Sequence, residues 1–202
     1  MAKQSDLESR YAKISETLDL FHEHAALIGK IALQWNLLHE MYGLLFAKIV
    51  TPKNVMVGMR VWQSVPNDRT KRGMLSSTLD YIYPRLTTRF VDDVEWCLGK
   101  TGGLEDKRDT AIHSPLHMDF EKVSVTVSPS DILGQLRAKR LSNKDIKLEL
   151  ESYLSHLNAL TSYWIELCKF QNEPRTSPTW PERPSLPKPA HPTPGQGRRK
   201  NK

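Results

Sequence analysis

From Leu7 to Ile49 apolar side chains recur in alternating steps of three and four: Leu7, Tyr11, Ile14, Leu18, Phe21, Ala25, Ile28, Ala32, Trp35, Tyr42, Phe46 and Ile49. This is the period of an α-helix with one apolar stripe, and it runs much too long for a strand. The spacing predicts a helix with room for one break, closed by Thr51-Pro52. Such a stripe needs a partner of similar length, and one lies at the other end of the chain in Ile146, Leu150, Tyr153, Leu157, Leu160, Trp164 and Leu167. Between them the pattern predicts a helix from Val55 to Val65 with Met59 and Trp62 on one face. A third, capped at Asn67-Asp68, carries Met74, Leu75, Leu79 and Ile82 and ends before Pro84. A fourth runs through Phe90, Val91, Val94 and Leu98, loosening at Gly99 and Gly102-Gly103 and resuming at Leu104. Residues 116–127 alternate imperfectly and read as a short strand or hairpin. Ser130 or Asp131 caps a short basic helix, and Ser142 to Asp145 opens the last long one. The expected fold is all-α: an antiparallel four- to five-helix bundle with a short β-hairpin-like insertion.

Eight of the 13 prolines fall between Pro174 and Pro194, ahead of Arg198-Arg199-Lys200. This composition predicts a disordered basic tail over 174–202 and a helical domain over 1–173. The tail explains the net charge of +6, because it holds seven basic residues and one acid while the remainder carries 22 of each. Arg175, Pro178 and Pro181 have the RxxPxxP spacing that polyproline-binding domains accept. Two cysteines and a polar start predict a cytoplasmic protein without disulfides. No stretch approaches the roughly 18 uncharged apolar residues of a membrane span, since Ala25 to Val50 contains Lys30, Glu40 and Lys48.

Several chemistries are unmarked in this sequence: there is no Gly-rich phosphate loop, nucleophile elbow, HExxH or paired CxxC. His22 and His24 are two apart, which on a helix points them in opposing directions. His113 and His117 have the spacing of helical zinc ligands, but Pro115 between them argues against one shared helix face. No metal or cofactor is expected. His39 occupies a position where the first stripe calls for an apolar residue, so an imidazole faces the helix partner there; a hydrogen-bonded core histidine is the simplest account. Arg69, Lys71 and Arg72 cluster in the first turn of the third helix, against its dipole.

One segment stands apart: Lys107-Arg108-Asp109-Thr110-Ala111-Ile112-His113, with an Arg and a His separated by four residues late in a helix. Here the chain resembles the HEPN family, helical bundles with an Arg-x(4–6)-His signature in which a polar residue follows the Arg. Asp109 fits that position. The resemblance extends over roughly residues 20–171, through the Gly29 to Leu38 helix, the Trp62 to Leu75 stretch and the closing helix. Members with such a Gly and Trp helix commonly have an acidic residue where this chain has His39.

The resemblance implies metal-independent RNA cleavage by a homodimer, in which a ribose 2′-OH attacks the adjacent phosphate and leaves a 2′,3′-cyclic phosphate. His113 would be the base and Arg108 would stabilise the charge gathered on phosphorus, with Asp109 orienting an imidazole or a guanidinium. RNA contacts are expected from Lys107, Arg69, Lys71, Arg72, Arg137, Lys139 and Arg140. A growth-inhibiting toxin or antiphage effector of this kind would have an antitoxin partner. The family also contains catalytically idle dimerisation and partner-binding modules, and that alternative stays open. On a regular helix Arg108 and His113 lie about 140° apart around the axis and about 7.5 Å along it. Either the helix ends near His113, or one site takes its Arg and His from two chains.

Overall fold

A computed structural model describes residues 2–82, 87–114, 116–127, 141, 144–172 and 179–186. Among these residues, five helices and one hairpin follow in order: α1 (Ala2–Val50), α2 (Val55–Ser64), α3 (Asp68–Ile82), α4 (Thr88–His113), β1 (Leu116–Asp119), β2 (Ser124–Val127) and α5 (Ile146–Asn172). The fold is all-α with a short antiparallel hairpin, as the periodicity predicts. The basic helix expected before residue 141 lies outside the described residues; of the tail expected to be disordered over 174–202, residues 179–186 are described, as a segment with neither helix nor strand that pairs with Asp93 on α4. No helix among the described residues is long and apolar enough to cross a membrane.

Local chemistry accounts for the boundaries. The Asn67 side chain accepts hydrogen bonds from the Arg69 and Thr70 amides at 2.8 and 3.1 Å, and Asp145 accepts one from the Leu148 amide at 3.0 Å. These caps satisfy amides that the first turns of α3 and α5 leave open. The hairpin pairs Leu116 with Val127 and Asp119 with Ser124. Asp119 closes its turn by accepting from the Glu121 and Lys122 amides.

Two expectations about helix continuity are corrected. α1 runs unbroken for 49 residues. α4 passes through Gly99, Gly102 and Gly103 without loosening. Glycine costs a helix roughly 1 kcal/mol per position relative to alanine, but burial of Cys97, Leu98, Thr101 and Leu104 fixes the turns that carry these glycines. The Thr101 hydroxyl also donates to the Cys97 carbonyl at 2.9 Å.

The chain divides into two compact units, one of residues 1–30, 107–155 and 187–202, the other of residues 31–106 and 156–186. In the second, Trp35, Leu38, Tyr42, Trp62, Leu75, Leu157 and Trp164 are fully buried, with Tyr42 edge-on to Trp164 at 4.6 Å. Close approach of α1 and α2 depends on Gly58, where a Cβ would sit 2.6 Å from the Ala47 Cα. Among the described residues, all twelve of the largest fully buried side chains belong to the second unit, whereas in the first Leu7, Tyr11, Ile14 and Leu18 are 38–64% exposed. The first half of the α1 stripe is thus an uncovered apolar face among the described residues.

Candidate functional site

In the first unit, the Arg-x4-His segment occupies the last turns of α4. The Ser114 amide still bonds to the Thr110 carbonyl at 3.1 Å, so the turn is helical up to His113. Arg108 is half-buried and donates through Nη1 to Asp109 Oδ1 at 2.8 Å; the pair's side chains are 29% and 24% exposed. Asp109 therefore pairs with the guanidinium of its neighbour. Thr110, Ala111 and Ser114 are buried, while His113 is exposed at the helix end. Continuous helical geometry separates Arg108 and His113 by about 140°, so one chain does not aim both at a single phosphate. His117 is in β1 and shares no helix face with His113.

Tyr153 on α5 joins this cluster, its phenol in the electrostatic field of Arg108 and Asp109 and pushed far above the usual tyrosine range by burial. Its hydroxyl and that of Ser114 are buried with no hydrogen-bond partner among the described residues. Periodicity had marked Tyr153 as a core position; a polar hydroxyl on an otherwise apolar stripe was the only hint of anything more.

The second unit holds a buried polar chain that surrounds two of the expected RNA contacts. His39 Nδ1 lies 3.0 Å from the Trp35 carbonyl, which fixes the proton on that nitrogen. Nε2 then accepts from Arg72 Nη1 at 3.0 Å, and Arg72 Nη2 donates to Glu105 Oε2 at 2.7 Å. The Trp35 indole donates to Asp68 at 2.7 Å, and Lys71 pairs with the same carboxylate at 3.7 Å. Burial holds the His39 imidazole down at about 4, with Arg72 and Lys71 adding to it against the opposite pull of Asp68 and the Trp35 carbonyl. The core-histidine account of His39 is the one the hydrogen bonds support.

Arg72 is thus a buried group committed to His39 and Glu105, and Lys71 is committed to Asp68. Arg69 is exposed and borders, with Arg72, Glu95, Glu105 and Asp106, a groove of about 630 Å³. Lys107 is half-buried in the first unit, and Arg137, Lys139 and Arg140 lie outside the described residues. Cys97 is buried and Cys168 half-buried; burial raises both thiols, Cys168 to about 11. Among the described residues no group of three or more His, Cys, Asp or Glu side chains is arranged to hold a metal ion.

No family model, no curated protein and no solved structure matches the chain.

Proposed function

We propose that the chain is a metal-independent endoribonuclease of the HEPN type, active as a homodimer in the cytoplasm, with His113 as base, Arg108 as the phosphate-stabilising cation and Asp109 as the residue that positions Arg108. The end of α4 is what supports this reading: an exposed imidazole at the helix terminus, with an arginine held by a neighbouring carboxylate five residues earlier. Two features of the first unit favour a dimer. Arg108 and His113 diverge on one helix, so a single phosphate can meet both only if they come from different chains. The exposed stripe of Leu7, Tyr11, Ile14 and Leu18 is an apolar surface of the kind that a second copy covers. Acting as a toxin or antiphage effector, with an antitoxin to restrain it, is the biological setting such an activity fits.

A catalytically idle dimerisation module is the second reading, favoured by the salt bridge that already occupies Arg108. Purified protein incubated with a mixed RNA pool in EDTA decides between them. The nuclease reading expects cleavage leaving 2′,3′-cyclic phosphate ends, reduced about 100-fold or more by His113→Ala or Arg108→Ala with the helical melt unchanged. Absence of cleavage by folded wild-type dimer, or equal cleavage by both variants, leaves the module reading standing.

A further inference from the structure

Asp93 on α4 is a carboxylate, yet it is only 4% exposed. Burying a charge is costly unless it is paired and hydrogen-bonded. Both Asp93 oxygens have partners in residues 179–186: the Trp180 indole donates to Oδ2 at 2.7 Å, and Arg183 Nε donates to Oδ1 at 2.5 Å. Each of these two side chains also makes a cation–π contact. The Arg183 guanidinium lies over the Trp96 ring at 5.5 Å, Arg89 lies over the Trp180 ring at 5.0 Å, and Tyr163 stands edge-on to Trp96. Pro181 and Pro184 border a groove of about 470 Å³ whose α5 side includes Tyr163 and Glu166.

These features are those of proline-rich peptide recognition: aromatic rings that receive an extended, low-entropy segment, and an acid that reads its arginine. The segment Thr179-Trp-Pro-Glu-Arg-Pro-Ser-Leu186 is extended, with neither helix nor strand, and two of its eight residues lack an amide donor. Two side chains converging on one carboxylate anchor it, while Glu182, Arg183 and Ser185 keep exposed surface. We infer that Asp93, Trp96 and Tyr163 form a recognition site for a Trp-Pro-x-Arg-Pro peptide, filled in this state by the chain's own residues 179–186. The segment acts as a latch that a peptide of the same chemistry can replace.

The test uses the full chain carrying Trp180→Ala and Arg183→Ala, titrated with a fluorescent eight-residue peptide of the 179–186 sequence and read by anisotropy. The emptied site should bind the peptide saturably and at least ten-fold more tightly than wild-type chain, whose site is filled. Adding Asp93→Asn should remove that gain, and a scrambled peptide should show none. Failure of the folded double variant to bind, or binding indifferent to Asp93→Asn or to scrambling, overturns the inference. If the double variant does not fold, Trp180→Phe replaces it, retaining a ring while losing the indole donor. That chain should also bind the peptide more tightly than wild type, and no gain there overturns the inference equally.

Discussion

His39 is neutral because of its surroundings: a buried ring whose Nδ1 proton is held by the Trp35 carbonyl and whose Nε2 lone pair is taken by Arg72. Protonation would put an imidazolium 3.0 Å from a guanidinium in a water-poor interior. Its value of about 4 in the folded chain lies well below the 6.5 expected of an unfolded histidine. Between those values the unfolded chain binds more protons, so stability is fully present above pH 6.5 and falls as the pH drops toward 4. The slope is about 1.4 kcal/mol per pH unit, for a total of about 3 kcal/mol. Urea unfolding of wild type and His39→Gln at pH 7, 6, 5 and 4 checks this, with the glutamine chain flatter across the window. Carboxylates titrate in both proteins, so the difference between the two curves is the quantity read. The composition of the α1 stripe placed His39 in the core, but Arg72, the partner of its Nε2, lies 33 positions away and was not visible in the pattern.

At the scale of elements, glycines with opposite surroundings explain where sequence and structure part. Gly58 lies where α1 and α2 nearly touch, and an added methyl would meet the Ala47 backbone. Gly99 and Gly103 sit in an unbroken helix with nothing within 4 Å of a Cβ. Gly58→Ala should therefore destabilise by about 1–3 kcal/mol through overpacking. Gly99→Ala and Gly103→Ala should each stabilise by about 0.5–1 kcal/mol through helix propensity. Denaturant midpoints for the three variants test the contrast, and a stabilising Gly58→Ala would contradict the packing of α1 on α2. Local propensity alone predicted a loosened α4, because it registers the cost of each glycine and not the buried residues interleaved with them. Helix ends were more legible, since Asn67 and Asp145 cap through contacts two or three residues away.

For the whole molecule, the difference between the two units is the main consequence. One holds the tryptophan-rich core; the other carries the Arg108, Asp109 and His113 segment and an apolar stripe left exposed among the described residues. If dimerisation through that stripe assembles a shared site, mixing Arg108→Ala chains with His113→Ala chains should restore cleavage that neither shows alone. With random exchange, each mixed dimer regains one intact Arg and His pair, giving about a quarter of the wild-type rate. Tyr11→Glu with Leu18→Glu should shift the protein to monomer in sedimentation and abolish cleavage with it. Helix type, the hairpin and the Arg-x4-His segment were determined by the sequence itself, because period, caps and prolines act within a few residues of one another. The burial of Arg72, the neutrality of His39 and the hold of Trp180 and Arg183 on Asp93 were decided by the tertiary structure. Desolvation, and most of the partners that relieve it, depend on which distant residues meet, and a charge or a proline read along the chain carries no record of that.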